Sequence, residues 1–331
     1  MATRLYLRHS SYSTANNDMP AGGWNHLNST TGGAGLVNGA GLNGILGYDL
    51  AYNPTSGRYL IVGDQGSANY ETYMAYADSI DGPWTYIYDT NVYLNSAAGG
   101  GINACIYVPS SGLFVIANDE NSIWTSPTAE AGTWTLRYSS GASLFVNKIT
   151  IANGNVVVAC PSSTIIYSTD GGLTWTTANV GFTGTATACR EVIWDGTRYI
   201  AVGQSGQLAY STTLNGTWTQ TTVGITNSDC WSIAYSPTLG RYCVGMGNGT
   251  VRTATSVLAG STWTAATGTF GGSVDMVRWG NGRFVACGDG RTLAYSTNGT
   301  AFTVTQYNTS TTKADVWGIY NFSGGNTWLA V

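Results

Sequence analysis

Apolar residues in this chain occur in short runs that Gly, Asn, Asp and Pro interrupt. In one unit, an apolar run ends at Trp194, a turn follows at Asp195-Gly196, and a second run, 199–203, ends in Gly. A polar turn then leads to the run 207–212, and Trp218 opens the last run. Short β-branched and aromatic runs separated by turn residues predict strands joined by hairpins. The unit is therefore predicted to contain four strands.

The same unit is repeated along the chain. The aromatic residue that opens the fourth strand recurs at intervals of 39 to 50 residues, at Trp84, Trp134, Trp175, Trp218, Trp263 and Phe302. A period of about 40–50 residues is typical of four-stranded propeller blades. The sequence predicts one all-β domain, a seven-bladed β-propeller of antiparallel blades, with approximate bounds 47–90, 101–140, 146–180, 189–223, 230–267, 274–307, and 315–331 plus 1–28.

Both ends of the chain are predicted to build the last blade. The repeat that begins near residue 315 contains only two strands, and closed sheets avoid an exposed apolar edge. Residues 4–8 and 23–27 have the composition of the missing third and fourth strands, although Tyr12-Ser13-Thr14 also matches the third-strand signature. Residues 31–46 are Gly-rich without a phosphate-loop Gly-Lys-Ser/Thr, so we expect a surface loop.

Composition and charge exclude several classes of function. Charged residues make up 9% of the 331 residues and the net charge is −4, which does not favour nucleic-acid binding. The sequence contains no apolar run of membrane-spanning length and no N-terminal stretch typical of a secretory signal. The six cysteines have no paired spacing and lie in strand-like runs, so we expect buried free thiols.

One segment carries a family resemblance. Ser168-Thr169-Asp170-Gly171-Gly172-Leu173-Thr174-Trp175 resembles the Asp-box, S-x-D-x-G-x-x-W, of sialidase-like (BNR) repeat propellers, and 211–218 and 296–302 look like degenerate copies. The resemblance implies a structural turn between the third and fourth strands, remote from the ligand face, formed by Ser168, Asp170, Gly172 and Trp175. Asp170 is then expected to bind local backbone amides.

Sialidase chemistry is not expected to accompany the resemblance. Sialidases grip a carboxylate with three converging arginines, whereas the arginines here occupy one repeated turn position on successive blades, at Arg58, Arg198, Arg241 and Arg283. We therefore predict no catalytic residue and no enzyme. A divergent glycosidase stays as an alternative, with Glu191 and one of Asp49, Asp275 or Asp315 as its two carboxylates.

A ligand is expected where the first strands begin, on the face that also carries the turns between second and third strands. The residues at this face are Tyr48, Asp49, Asn103, Asn147, Lys148, Arg190, Glu191, Trp231, Asp275, Asp315 and Trp317. They form a polar funnel flanked by aromatic residues, which suits a sugar or a peptide tip. The alternative is a hydrated wall whose charges pair internally.

No cofactor or metal is predicted. Asn118-Asp119-Glu120 is the densest acidic turn and could hold Ca²⁺ through oxygen ligands, but a solvated turn is the favoured interpretation.

The composition, rich in Gly, Ser, Thr, Asn and Tyr, is similar to that of bacteriophage tail and receptor-binding proteins. We therefore hypothesise a virion component, a tail-fibre, receptor-binding or decoration protein, that recognises a host surface glycan or another virion protein, without nucleic-acid or membrane insertion. A homo-oligomer is compatible with this role. The alternatives are a lectin with repeated sugar sites between blades and the divergent glycosidase.

Overall fold

The computed structural model describes residues 7–9, 24–26, 46–64, 72–79, 82–87, 92, 101–118, 122–140, 146–290, 292–306, 319–320 and 328–330. Within these ranges the short apolar runs form antiparallel β-strands, and a single 3-10 turn lies at Gln204–Gly206. Short runs without a helical period bury their side chains as strands because successive residues point to opposite faces of a sheet. The all-β prediction agrees with these strands.

Six four-stranded sheets are each built from one contiguous segment, and these are the blades of the propeller. The first blade contains β3 (Leu46–Asn53), β4 (Arg58–Asp64), β5 (Thr72–Ala77) and β6 (Thr85–Tyr86). The second contains β7 (Ile102–Val108), β8 (Leu113–Asn118), β9 (Ser122–Ser126) and β10 (Thr135–Ser139). The third contains β11 (Lys148–Ala152), β12 (Asn155–Ala159), β13 (Thr164–Ser168) and β14 (Thr176–Asn179).

The remaining blades follow the same order. The fourth contains β15 (Cys189–Trp194), β16 (Tyr199–Gly203), β17 (Gln207–Ser211) and β18 (Thr219–Thr222). The fifth contains β19 (Cys230–Ser236), β20 (Arg241–Met246), β21 (Val251–Ala254) and β22 (Thr264–Ala265). The sixth contains β23 (Val274–Gly280), β24 (Arg283–Gly288), β25 (Thr292–Ser296) and β26 (Thr303–Gln306). In each blade, strands that are consecutive in sequence pair with each other.

The prediction of a seven-bladed propeller is corrected to six blades. The chain ends contribute a small sheet of β1 (Leu7–His9), β2 (Trp24–His26), β27 (Ile319–Tyr320) and β28 (Trp328–Ala330), in the order β2-β1-β28-β27. All four strands have two or three residues, and the rest of the predicted segments 1–28 and 315–331 lies outside the described residues. The predicted pairing of the two chain ends in one four-stranded sheet is confirmed, but the repeat signal counted this sheet of very short strands as a further blade.

An aromatic pair joins the first two strands of five blades. The pairs, with ring centroids 4.5 to 5.1 Å apart, are Tyr52–Tyr59, Tyr107–Phe114, Trp194–Tyr199, Tyr235–Tyr242 and Trp279–Phe284. Each pair faces directly across the hairpin, where cross-strand side chains approach most closely. These pairs hold the end of each first strand against the blade.

The hydrophobic core is divided among the seams between blades. One cluster joins Leu60 and Met74 of the first blade to Phe114 and Ile116 of the second, and four further clusters join successive blades in the same way. Trp134, Trp218 and Trp263 are buried in these clusters, which explains why the aromatic position recurs. All six cysteines are buried and free, which confirms the prediction for them.

Candidate functional site: an axial cavity

The first strands of the six blades, β3, β7, β11, β15, β19 and β23, surround a cavity of about 450 Å³. This volume lies within the range of small-molecule sites in proteins, about 300–1,000 Å³. Every residue that lines the cavity belongs to one of these six strands. The cavity therefore lies on the axis of the propeller.

Large apolar side chains surround one end of the cavity. They are the last cavity-lining residue of each first strand: Tyr52, Tyr107, Ile151, Trp194, Tyr235 and Trp279. We call this set the rim. Five of the rim residues carry flat aromatic faces, of which four are half-buried and Tyr107 is buried, and Ile151 is 41% exposed. Such faces accept the apolar surface of a ring-shaped ligand.

Three residues earlier in each first strand lies a more polar layer. Its members are Asp49, Ala104, Lys148, Glu191, Ser232 and Met276, and we call it the charged layer. Three residues of extended chain span about 10 Å. A ligand that enters past the rim would therefore meet the charged layer about 10 Å farther along the axis.

Each of the two carboxylates of the charged layer binds a backbone amide of the following blade. Asp49 accepts hydrogen bonds from the N–H groups of Leu50 and Cys105, each at 2.9 Å. Glu191 accepts one from the N–H of Ile233 at 2.9 Å. The first strand of a blade is an edge strand with unpaired N–H groups toward the axis, and these carboxylates satisfy them. Each carboxylate thus joins two blades.

Glu191 is also half of a buried ion pair. The carboxylate is 0% exposed, its Oε1 lies 2.7 Å from the Arg278 guanidinium, and its Oε2 accepts a hydrogen bond from Ser232 at 2.7 Å. Burial alone would raise the pKa of the Glu191 carboxyl, but the positive charges of Arg278 and Lys148 outweigh burial and hold its pKa below the usual value. Glu191 is therefore held as a carboxylate: its Oε2 accepts two hydrogen bonds, from Ser232 and Ile233, while its Oε1 is engaged only by the charge of Arg278.

Lys148 is the third charged residue of the charged layer, and it differs from Asp49 and Glu191 in its contacts. Among the residues that the structure describes, its ammonium group has no hydrogen-bond or close ion-pair partner. Burial lowers the pKa of Lys148, and the negative charges of Glu191 and Asp49 offset only part of this effect. An ammonium group can donate three hydrogen bonds. The cavity therefore contains a cationic group, the Lys148 ammonium, that can donate hydrogen bonds to a ligand.

The predicted ligand face occupies a β-bulge that is repeated in five blades. The extra residue of each bulge is Tyr48, Asn103, Arg190, Trp231 or Asp275, and Asn147 immediately precedes the corresponding strand of the third blade. We call these six residues the bulge ring. A bulge places its extra residue outside the register of the two strands and turns its side chain away from the regular pleat. None of the six lines the axial cavity.

Described side chains of the bulge ring bind the adjacent blade. The amide of Asn103 donates to the carbonyl of Val146 at 3.1 Å, and the amide of Asn147 donates to that of Cys189 at 2.7 Å. Arg190 donates to the Asn147 side chain at 2.8 Å.

Arg190 has two further partners in the same region. It pairs with Asp229 at 3.0 Å and lies 4.0 Å from the ring centroid of Trp231. The charges in this part of the ring therefore pair internally.

The structure thus brings together only part of the predicted site. Asp49 and Glu191 line the cavity, together with Lys148, whereas Asp315 and Trp317 lie outside the described residues. Sequence reasoning missed the rim and Arg278, because it placed the ligand where the first strands begin and not where they end. The rim could have been found from the sequence, because an aromatic residue ends nearly every first strand.

The segment with the Asp-box pattern forms a self-contained turn. The Asp170 carboxylate accepts hydrogen bonds from the N–H groups of Leu173 and Thr174 at 3.1 and 2.9 Å. The two glycines of the turn, Gly171 and Gly172, have φ values of 76° and 96°, which side chains other than glycine rarely adopt. Burial acts to raise the pKa of Asp170, but the hydrogen bonds to Thr174, Ser168 and Leu173 lower it to about 2.

The repeated arginines lie away from the cavity. Arg58 pairs with Asp78 at 2.6 Å and Glu130 at 2.8 Å, and Arg198 pairs with Asp195 at 3.2 Å. Arg241 and Arg283, at the same position in later blades, also do not line the cavity. These arginines therefore do not form the converging set that grips a carboxylate in a sialidase.

No group of three or more His, Cys, Asp or Glu side chains with metal-site geometry occurs in the described ranges. Of the acidic turn considered for Ca²⁺, Asn118 accepts a hydrogen bond from the N–H of Ser122 at 3.0 Å, while Asp119 and Glu120 lie outside the described residues. The described part of the chain also contains no helix that is long and apolar enough to cross a membrane.

The fold and the axial cavity define this chain as a β-propeller. Among solved structures it is similar to "YCF48 bound to D1 peptide", with a TM-score of 0.62 and 12% sequence identity, over 87% of this chain and 93% of that one. At this identity the similarity concerns the fold alone. No protein-family model matches the sequence. No curated protein matches it either.

Proposed function

We propose that this protein is a non-enzymatic binding propeller of a phage virion, which takes part of a host-surface carbohydrate into its axial cavity. The observation that carries the proposal is the cavity itself, with an aromatic rim at one end and a charged layer about 10 Å inside. Aromatic faces combined with a few directed polar groups are the composition that sugar recognition requires.

The state of the carboxylates supports binding without hydrolysis. A glycosidase needs one carboxylic acid with a raised pKa to protonate the leaving oxygen. The pKa of Glu191 is instead lowered, and its oxygens are bound to Arg278, Ser232 and the N–H of Ile233. Asp49 is bound to two backbone amides. Both carboxylates therefore hold blades together, which favours binding over hydrolysis at this cavity.

A virion location is supported by composition. The chain has few charges and many Gly, Ser, Thr, Asn and Tyr residues, as virion adhesins often have. The turn at Asp170, with a related turn at Asn298 that accepts the same kind of backbone hydrogen bonds, supports a distant relation to the sialidase-like repeat propellers. A protein distantly related to the sialidase-like propellers would keep this turn for its structural role and would have a different ligand site.

The test is a broad glycan array with the purified protein, with and without Ca²⁺, followed by two matched variants. Trp279→Ala removes a rim residue, and Trp231→Ala removes a residue of the same type and similar burial from the bulge ring, at the other end of the first strand. We expect specific binding that Trp279→Ala weakens at least tenfold and Trp231→Ala leaves within about twofold.

Other outcomes contradict the proposal in distinct ways. If Trp231→Ala is the damaging change, the ligand binds at the bulge ring. If no saccharide binds in either condition, carbohydrate recognition is wrong and a decoration role is favoured. If the array ligand is cleaved and Glu191→Gln abolishes cleavage, the protein is a glycosidase.

A further inference from the structure

We propose that Lys148 is the anchor for a carboxylate of the ligand, so that the cavity selects an acidic saccharide, such as one that ends in a hexuronic acid, over its neutral counterpart. This inference rests on the proposed function, because it specifies the ligand of the same cavity. It assigns binding to a residue of the third blade and makes no use of the repeated arginines.

Charges of both signs surround the ammonium group of Lys148. The charges nearest to it are two carboxylates, Asp49 and Glu191, and one guanidinium, Arg278. Arg278 lies 2.7 Å from Glu191 and also donates to the carbonyl of Val277 at 2.9 Å. Asp49 accepts two backbone N–H groups. With these groups engaged, the positive charge of Lys148 is the one in the charged layer that lacks a close partner among the described residues.

A ligand carboxylate would supply that partner. A half-buried ammonium without a close anion is costly, and an opposite charge at hydrogen-bond distance relieves the cost. The hydrogen bond between an ammonium and a carboxylate is also among the stronger kinds in proteins. A hydroxyl of a neutral sugar accepts a weaker hydrogen bond and adds no charge. The charged layer therefore discriminates between an acidic and a neutral sugar of the same size.

The rim limits which part of the ligand reaches Lys148. The carboxylate must lie about 10 Å inside the rim, so it must belong to a terminal residue of the saccharide and not to an internal one. The ring that carries it would then lie inside the cavity, and the next sugar of the chain would lie beside the aromatic faces of rim residues such as Trp194 and Tyr235. The inference therefore requires a terminal acidic sugar.

The experiment is isothermal titration of the whole protein with methyl β-glucuronide and with methyl β-glucoside, which differ only in the carboxylate. The variants are Lys148→Met, which keeps the length of the side chain without its charge, and Arg137→Met, which removes one positive charge from the exposed outer strand β10. Thermal unfolding of both variants shows whether they are folded.

We expect the glucuronide to bind the wild-type protein at least tenfold more tightly than the glucoside. Lys148→Met should abolish this preference, and Arg137→Met should preserve it. A glucuronide preference that survives Lys148→Met, or equal binding of the two glycosides, would overturn the assignment of Lys148 while leaving carbohydrate binding in place. If neither glycoside binds but a glycan array is positive for neutral sugars, the inference is again wrong. If the array is negative, the proposed function fails as well.

A second measurement does not depend on a variant that folds. The ¹⁵N signal of the Lys148 ammonium, followed against pH, should titrate below the usual pKa of lysine, about 10.4, in the empty protein and at higher pH with the glucuronide bound. The facing groups are Asp49, Glu191, Arg278 and the Cys287 thiol, whose pKa is raised by burial. An unchanged titration at saturating glucuronide would show that the carboxylate binds elsewhere.

Discussion

At the scale of single residues, Glu191 shows how one side chain serves both the cavity and the fold. It is 0% exposed, it pairs with Arg278 at 2.7 Å, and it binds the N–H of Ile233 in the next blade. Taking a carboxylate out of water is costly, and for Glu191 the ion pair and the hydrogen bonds together offset that cost. The contribution of Glu191 to the fold is therefore measured by the stability that is lost when one partner of the ion pair is removed.

We predict that Glu191→Gln lowers the free energy of unfolding by about 3 kcal/mol, because the half-buried Arg278 then loses the buried anion that it pairs with. Chemical denaturation at neutral pH measures this loss. Asp78→Asn is the matched control, since it breaks the ion pair of Arg58 with a carboxylate that is 63% exposed. It should cost less than about 1 kcal/mol. Equal losses in the two variants would contradict the structural role of Glu191.

The same residue predicts a pH dependence. The pKa of Glu191 is lowered from 4.5 in the folded protein, so its contribution to stability is present above pH 4.5 and is lost as the pH falls through the lower folded value. The wild-type protein should therefore approach the stability of Glu191→Gln as the solution is acidified below about pH 4.5. Denaturation midpoints of both proteins from pH 7 to pH 3 measure this convergence, and a constant difference would contradict it.

At the scale of elements, the blades are joined by side-chain contacts that are repeated between different pairs of blades. The turn after the first strand of one blade binds the tyrosine hydroxyl on the second strand of the next. Tyr242 donates to Asp195 at 2.7 Å; the Tyr199 hydroxyl accepts from Asn153 of the turn at 3.4 Å and from Asn155, the first residue of β12, at 2.6 Å. These contacts add directional hydrogen bonds to seams that are otherwise apolar.

We predict that Tyr242→Phe lowers the free energy of unfolding by about 2 kcal/mol, because it removes a hydrogen bond to a charged and buried carboxylate. Tyr235→Phe, which alters the other ring of the same stacked pair, should cost less than about 0.5 kcal/mol. Equilibrium denaturation of both variants provides the comparison. A loss in Tyr235→Phe as large as that in Tyr242→Phe would show that the ring pair, and not the hydroxyl, determines the effect.

At the scale of the whole molecule, the ends of the chain meet in one sheet. The strand β28 lies between β1 and β27, and β27 lies against β23 and β24 of the sixth blade. In the register of β1 with β28, residue 8 faces residue 329. This pairing connects the first described strand of the chain to the last one, so it can be tested by a covalent link.

We predict that Arg8→Cys combined with Leu329→Cys forms a disulfide under mild oxidation, because directly opposed residues of antiparallel strands have suitable Cβ distances. Arg8→Cys combined with Trp328→Cys is the control, since adjacent residues of a strand point to opposite faces. Gel mobility without reductant measures the link, and the six native thiols should not interfere because all are buried. Equal linking in the two variants would contradict the register.

The parts of the structure that could be predicted are those encoded within a few residues. The turn at Asp170 is one example, because the carboxylate, its amide donors and the required glycines lie within five residues. The strands could be predicted for the same reason. The number of blades could not, because the repeat counts the half-units at the two chain ends as one further copy, whereas the sheet that they form has strands of only two or three residues.

The sequence by itself determined the strand pattern, the repeat and the burial of the cysteines, since each follows from local periodicity and hydrophobicity. Only the tertiary structure decided that Glu191 pairs with Arg278, that the bulge ring binds between blades, and that Lys148 faces an axial cavity. These features join residues of different blades, about 40 or more positions apart, and no local pattern encodes their distance or their relative orientation.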